Sequence, residues 1–575
     1  ASWEYRKIKT QVKHKEYHKP MLHKTPEMDK NTIKSKHNNN NTAKKIVVKT
    51  IKTLLVLLLA VVILVVAIVA CALITYHRQP VLTQEDKEEL AVDSIWKTRT
   101  QPERARIIED NGDALLERVK MISNAKSEIV LSTFDFRADE SGKIILGALI
   151  DAADRGVSVN VIVDGVSGFL RMKGNPYFEA LAASSGTSIK IYNKVNPLAP
   201  WRSMGRLHDK YLIADKSSYI IGGRNTFSYF LGSNSQYKNY DRDVLVYCEN
   251  ANEDSSVNDL LSYFENVWNY KESKPYMSGV NSLESDSGHF IINADENNDK
   301  SNSVTKKKSK LLSKSDVAAA KEELISLYTE YYANNSDNIF TVTSYDEELK
   351  NSDYDNISGD RTDNTDNNIY KDTYEVRNIA LLSNPIEYTS KKPVVWYQLV
   401  ELMKNAHSKV KIHTPYIICN DYMYDGLEEV CNSVENVSLM TNSIGNNGNP
   451  FGSADYYVNK NKILGTGIDV WEYEGGYSYH GKSVLIDDNI SVIGSFNLDM
   501  RSAYLDTELM LVIDSEDINR QLSESMESYE HVARNANSDG SYDNPYDVEP
   551  VELSQYRRRQ MMLIKNFVLW ARYLF

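Results

Sequence analysis

One pattern of residues is written twice into this chain. The first copy reads His208-Asp209-Lys210, four residues, Asp215, six residues, then Gly222-Gly223-Arg224-Asn225. The second reads His480-Gly481-Lys482, four residues, Asp487, six residues, then Gly494-Ser495-Phe496-Asn497. Both obey H-x-K-x4-D-x6-G-(G/S)-x-N without a gap, so the chain is expected to fold as two related halves. In a strand, positions i and i+2 project from one face. His208 and Lys210 therefore emerge together, as do His480 and Lys482. The apolar run between each Lys and Asp buries its strand, the glycines admit a neighbouring backbone, and each closing Asn offers an amide donor.

The surrounding sequence supports a duplicated α/β body. Residues 111–125 form an amphipathic helix pattern with Leu115, Leu116, Val119 and Ile122 on one face. A strand at 128–132, a helix at 144–155 ending before Gly156, and the apolar alternation of 157–163 continue a βαβ rhythm. The rhythm returns as a helix at 394–406, a strand at 410–414, a helix at 453–465 and a strand at 467–473. This predicts buried mixed sheets in two halves, 106–282 and 376–545. Between them, 283–375 reads as a linker. Ten of the twenty residues 351–370 are Asp or Asn, but 315–332 is a helix that Ser315 can cap.

Two imidazoles, two ammonium groups and two amides converging on one point suit a phosphodiester. Lys210, Lys482, Asn225 and Asn497 would hold the oxygens of a pentacoordinate phosphorus. One histidine would attack phosphorus while the other moves protons to and from the alcohols. A single H-x-K pair is usually an ordinary solvated strand position; two complete matches in one chain are not readily coincidental. Lysine is a poor metal ligand at neutral pH, and no His/Cys/Asp spacing fits zinc, so neither metal nor cofactor is expected.

Residues 54–74 are apolar without exception, 21 in succession, long enough to cross a hydrocarbon core of about 30 Å. The expected organisation is a basic tail (1–52), a span (53–75) and a charged connector (76–105). Residues 68–71, ending at Cys71, have the look of a lipoprotein cleavage box, but the apolar run continues past the cysteine as a retained anchor would. The net charge of −13 divides unevenly. Residues 1–52 hold 14 Lys/Arg and 4 Asp/Glu; the remaining 52 basic and 75 acidic residues give 53–575 a charge of −23. The basic flank places the tail in the cytoplasm and the body outside. So acidic a body disfavours nucleic acid as partner.

Four cysteines exclude a disulfide scaffold; Cys248 reads as a core residue, and a Cys419–Cys431 bridge is permitted but not indicated by spacing. The last segment, 546–575, ends in a helix with Arg558, Lys565 and Arg572 every seven residues. Leu563, Ile564, Phe567, Trp570 and Leu574 supply its apolar side. It fits an interfacial helix facing anionic headgroups, with packing on the body as the alternative.

The paired motifs resemble those of the phospholipase D superfamily, and within it are most similar to bacterial cardiolipin synthases of the type-C subgroup. Residues 152–163, 204–215 and 222–230 carry the likeness in the first half. Residues 441–443, 494–502, 506–508 and 511–514 carry it in the second. The resemblance implies two phospholipase D-like halves about a pseudo-twofold axis and a ping-pong reaction through a phosphatidyl-histidine, the motif histidines acting in turn. By that analogy His208 is the nucleophile and His480 the general acid/base. Asp241 and Glu508 stand where carboxylates orient the opposing histidines; Asp215, Asp487, Gly223 and Ser495 would be structural. The expected reaction makes cardiolipin from two phospholipids, phosphatidylglycerol being the acceptor. Hydrolysis to phosphatidic acid, a nuclease of the superfamily and an inactive membrane scaffold remain as alternatives. Phospholipids and the bilayer are the expected partners. Many cardiolipin synthases have two N-terminal spans; this chain shows one.

Overall fold

The computed structural model describes residues 30–196, 199–233, 236–248, 250–276, 312–336 and 373–572. The Asp/Asn-rich segment 351–370, the expected boundary at 282/283, most of the basic tail and Leu574 lie outside them. The chain divides into two units, Ala1–Val66 and Ala67–Phe575. A helix spans Lys30–His77, and its stretch Lys45–His77 is long and apolar enough to cross a membrane. Residues 54–63 are exposed along it, as a lipid-facing surface would be.

The second unit is built on two nine-stranded sheets of mixed direction. The first runs, edge to edge, Tyr374–Val376, Glu103–Ile108, Asp243–Cys248, Ser218–Gly222, Lys210–Ala214, Glu128–Thr133, Ser158–Asp164, Thr187–Tyr192 and Ser273–Pro275. The second runs Asn378–Ser383, Leu509–Asp514, Ile490–Gly494, Ser483–Ile486, Lys409–His413, Asn436–Asn442, Asp469–Tyr473, Ala533–Ala536 and Tyr542–Asp543. Both contain a parallel core of three strands, Glu128 to Tyr192 in one and Lys409 to Tyr473 in the other, flanked by antiparallel neighbours. Each motif strand occupies the same place in its sheet, paired antiparallel to the first parallel strand. The two halves thus repeat one topology. An apolar cluster with members from both sheets, including Val130, Tyr211, Leu485 and Leu511, joins them.

Helices cover the outer faces because their apolar positions recur on one side. Helix Glu140–Asp154 is capped by Asp139 and buries Ile145, Leu146 and Leu149. Strand burial follows the sequence pattern: all five residues of Lys210–Ala214 and all four of Ser483–Ile486 are buried.

Several boundaries move. The first sheet starts at Glu103 rather than 106, because Glu103–Ile108 pairs with Asp243–Cys248 along its whole length. Residues 76–102 are more than a connector. Ile95 joins the second half's core, Arg99 ion-pairs to Asp259 at 2.9 Å, and Lys392 to Asp86 at 2.7 Å. The helix expected in the linker runs Lys314–Asn334 and is capped by Ser313, not Ser315. Ser313 and Asp316 form a reciprocal capping box. It belongs to the first half's core, burying Val317, Leu324 and Tyr328, and Gly147 lets it approach helix Glu140–Asp154 closely. All four cysteines are free: Cys419 is buried beneath the second sheet, so no bridge to Cys431 forms.

The last helix, Gln555–Ala571, packs on the second half rather than presenting its basic stripe outward. Met561 and Ile564 cluster with Ala454, and Arg572 pairs with Asp455 at 2.6 Å. Tyr556, Met562 and Leu563 remain exposed.

Candidate active site

The two halves exchange strands of two residues or fewer beside their motifs. Ser478–Tyr479, which runs into His480, pairs in parallel with Asn239–Tyr240, which runs into Asp241. The His480 N–H donates to the Tyr240 carbonyl at 2.6 Å. At the mirrored place, Leu207 bridges Thr507 in parallel, and the His208 N–H donates to the Thr507 hydroxyl at 3.0 Å. Each histidine is thereby carried to the carboxylate of the opposite half. His208 Nδ1 lies 2.8 Å from Glu508 Oε1, and His480 Nδ1 lies 2.6 Å from Asp241 Oδ2.

A carboxylate at Nδ1 favours the tautomer with hydrogen there and leaves the lone pair on each Nε2, that of His480 lying 3.3 Å from Lys482 Nζ. Aromatic edges hold the rings: Phe134 packs on His208 at 5.6 Å between centroids, Phe230 on His480 at 5.0 Å. Each lies in a loop after its strand; Phe230 closes the 222–230 stretch that carries the likeness, whereas Phe134 lies outside the stretches that do.

Side-chain hydrogen bonds anchor the approaches. Asp164, ending the strand Ser158–Asp164, accepts the Leu207 N–H at 3.0 Å, and Asp506 accepts the Arg206 N–H at 3.0 Å. Asn442, ending Asn436–Asn442, bonds both backbone groups of Tyr479, at 2.7 and 2.8 Å.

Lys210 and Lys482 are buried, and each ammonium donates to the carbonyl of its own motif histidine. Lys482 Nζ also lies 3.8 Å from Asp241. The Asn225 side-chain oxygen accepts the Asp135 N–H at 3.1 Å, which turns its amide nitrogen away from that loop. Asn497 is buried with a side-chain oxygen that has no partner among the described residues.

The four remaining motif positions have distinct tasks. Asp215 accepts N–H groups from Lys126, Ser127 and Glu128 at 2.7–3.0 Å; Asp487 does the same for His407, Ser408 and Lys409 at 2.8–3.1 Å. Both sit at left-handed φ, 51° and 49°, which Asp tolerates better than most residues. Gly223 is required because any Cβ there would collide with the Asp241 carboxylate. Its counterpart Ser495 instead donates its hydroxyl to Glu508, whose other oxygen takes the Ser502 hydroxyl at 2.7 Å. Ser502 was not legible as a site residue, because its role depends on the helix turn Met500–Tyr504.

The electrostatics differ between the halves. Burial lowers His208 well below the ordinary imidazole value, and Lys210 pushes the same way. Burial, with Lys482, takes His480 down to about 4. Both lysines act on both imidazoles, which places the four groups in one electrostatic site. Burial drops Lys210 to about 7 and Lys482 to about 8. Glu508 rises to about 7 through burial, whereas Asp241 falls below its ordinary value because Lys482 and His480 outweigh burial. Among the described residues, no three His, Cys, Asp or Glu side chains are grouped to hold a metal ion.

Comparison with known proteins agrees with the division into two related halves. A family model described as "Cardiolipin synthase, PLD-like domain" matches residues 119–268 and 399–529, one segment in each half. An uncharacterized protein of Helicobacter pylori (strain J99 / ATCC 700824) is 23% identical over 464 residues, 74% of this chain and 79% of that protein. A cardiolipin synthase A of Yersinia pseudotuberculosis is 31% identical over 147 residues, 24% of this chain and 27% of that one. Among solved structures, the phosphatidylserine synthase of Haemophilus influenzae Rd KW20 aligns with a TM-score of 0.52 at 14% identity. That alignment covers 83% of this chain and 96% of that one, a likeness of fold.

Proposed function

Because the chain belongs to the phospholipase D superfamily, close to the cardiolipin synthases, we propose that it is a membrane-anchored phosphatidyltransferase acting through a covalent histidine intermediate. The observation that carries this reading is the crossed pairing of His208 with Glu508 and His480 with Asp241. It engages each imidazole through Nδ1, with both buried lysines acting on both rings.

In the first step the His208 Nε2 lone pair attacks phosphorus of a bound phospholipid. The N–P bond forms, the P–O bond to the headgroup alcohol breaks, and His480 Nε2–H delivers its proton to the departing oxygen. Lys210, Lys482, Asn225 and Asn497 hold the oxygens on which charge accumulates. In the second step His480 removes a proton from the acceptor hydroxyl, whose oxygen attacks phosphorus and frees His208. With phosphatidylglycerol as both donor and acceptor the products are cardiolipin and glycerol. His480 gains its initial proton with the substrate, since a bound phosphodiester anion offsets the lysine charges that depress it.

By analogy with the superfamily His208 takes the nucleophile's role, and the ionised Asp241 favours His480 as the proton carrier. Hydrolysis to phosphatidic acid uses the same intermediate with water as acceptor. The basic tail before the apolar helix orients the anchor with its N-terminus in the cytoplasm and the catalytic body outside.

His208→Ala and His480→Ala are each expected to lower turnover at least ~1,000-fold with the fold retained. Substantial activity in either ends the two-histidine mechanism. Membranes bearing the wild-type chain are expected to convert labelled phosphatidylglycerol to cardiolipin; phosphatidic acid alone would assign a hydrolase. Protease added to intact cells is expected to degrade the body, and full protection would reverse the orientation.

A further inference from the structure

At the carboxyl ends of the parallel strands, where the site lies, the first half has an uncovered apolar rim. The turn after Ser158–Asp164 exposes Phe169 and Leu170, 56% and 61% accessible, and the loop after Thr187–Tyr192 exposes Trp201, 56% accessible. Large apolar side chains this exposed mark contact surfaces when they cluster. Here hydrogen bonds tie together the segments that carry them. The Asn196 N–H donates to the Ser203 hydroxyl at 3.0 Å, Lys194 to the Pro275 carbonyl at 3.1 Å, and the Tyr276 hydroxyl to the Met172 carbonyl at 3.1 Å. The rim also adjoins the site: Arg171 lies 3.6 Å from Asp135, whose N–H holds the Asn225 side chain.

Its charge runs against that of the molecule. In a body of −23, these turns expose Arg171, Lys173, Lys194 and Arg202, and the segment running through strand Ser273–Pro275 adds Lys271 and Lys274. The acids beside them are Asp135, 3.6 Å from Arg171, Glu272, paired with Arg202 at 2.8 Å, and Glu387. The counterpart turns of the second half differ, because the chain itself covers them. Val551 sits over Gly445, and Arg557 donates to the carbonyls of Gly445, at 3.0 Å, and Asn447. That cover in turn exposes Tyr556, Met562 and Leu563 beside Arg558 and Arg559. Both halves therefore show aromatic and aliphatic residues among cations at the end that holds the site.

We propose that this end of the molecule docks on an anionic phospholipid bilayer, with Phe169, Leu170 and Trp201 entering the interfacial layer. Aromatic and aliphatic side chains partition into that layer while surrounding lysines and arginines meet headgroup phosphates. The acidic remainder of the body is repelled by the same surface, which orients the docking. Headgroups then reach His208 and His480 without the lipid leaving the membrane, a consequence that rests on the phosphatidyltransferase reading.

The test uses the full chain in nanodiscs containing acyl-brominated phosphatidylglycerol. Subtracting the fluorescence of W201F from that of the wild type isolates Trp201. That component is expected to be quenched by the brominated lipid, and an unquenched signal overturns the proposal. In parallel, F169S/L170S/W201S is expected to lose at least tenfold in kcat/KM on phosphatidylglycerol vesicles. It should stay within twofold of wild type on the soluble diester bis(p-nitrophenyl) phosphate. Equal loss on both substrates, or loss on neither, overturns docking. If the wild type cleaves neither substrate, the functional reading fails while the quenching result still decides the docking.

Discussion

Asp241 and Glu508 hold equivalent places but not equivalent charge. Asp241 faces His480 and Lys482 across a collar cleared by Gly223, and stays ionised. Glu508 receives two hydroxyls, from Ser495 and Ser502, yet burial raises it to about 7. Asp241→Asn is therefore expected to reduce kcat by about 1,000-fold or more, through loss of both tautomer control and imidazolium stabilisation. Glu508→Gln should cost less, since the hydroxyls can re-pair with an amide. Turnover of a soluble phosphodiester by the two variants decides it, and the reverse order would assign His480 as nucleophile. The lysines set a pH limit. Lowered to about 7 and 8, Lys210 and Lys482 lose charge as pH rises through that window, and with it their hold on an anionic substrate. kcat/KM should accordingly fall above about pH 7, whereas kcat, measured on the complex in which the anion retains those protons, holds its plateau to higher pH. Lys210→Arg, which cannot deprotonate, should move the onset of the alkaline limb from about pH 7 towards the Lys482 value of about 8, at reduced rate. A kcat/KM profile flat to about pH 10 would refute the lysine assignment.

At the scale of elements, the site depends on chain segments too short to predict. Ser478–Tyr479 and Asn239–Tyr240 are two residues each and separated by 239 positions, so neither has a periodicity of its own. The motif strands were legible because burial on both faces leaves an unbroken apolar run; the motif spacing named His208 and His480, and the superfamily resemblance named the carboxylates facing them. The supporting groups were less so: Ser502 reaches Glu508 only through a turn of helix, and Phe134 and Phe230 reach the two imidazoles only from loops. The helix Lys314–Asn334 was legible as a helix but not as core, because its apolar face is narrow and its neighbour, Gly147, gives no distant signal. Gly223 tests how tightly these elements constrain the chemistry. Gly223→Ala forces a Cβ into the Asp241 carboxylate and is expected to cost about 1–3 kcal/mol of stability. The displacement of Asp241 should also lower turnover at least ~100-fold, since reacting groups tolerate little misplacement. Thermal unfolding and kcat measured together check it; wild-type turnover in Gly223→Ala would show that the carboxylate position is not critical.

For the whole molecule, the last helix shows how tertiary contacts redirect a pattern that reads differently in isolation. Every seventh residue being basic suggested one outward stripe, but the helix turns Arg572 into the body. There its guanidinium meets both oxygens of the fully buried Asp455, at 2.6 and 3.0 Å, and the Cys419 carbonyl at 2.7 Å. A buried carboxylate left without its cation is costly, whereas an exposed basic stripe would contribute almost nothing to folding. Arg572→Ala is therefore expected to destabilise the second half by roughly 2–4 kcal/mol. Replacing both partners, as in Asp455→Leu with Arg572→Leu, should recover part of that loss because no unpaired charge remains. Arg558, exposed on the same helix, serves as the control: Arg558→Ala should leave stability unchanged within about 0.5 kcal/mol. The apparent melting temperatures of the three variants separate the cases. Equal, negligible shifts for Arg572→Ala and Arg558→Ala would return the helix to a purely interfacial role. A selective loss in Arg572→Ala means that the C-terminal segment is a structural part of the second half. It would then close over the 443–449 turns as firmly as the linker helix closes over the first half's outer face.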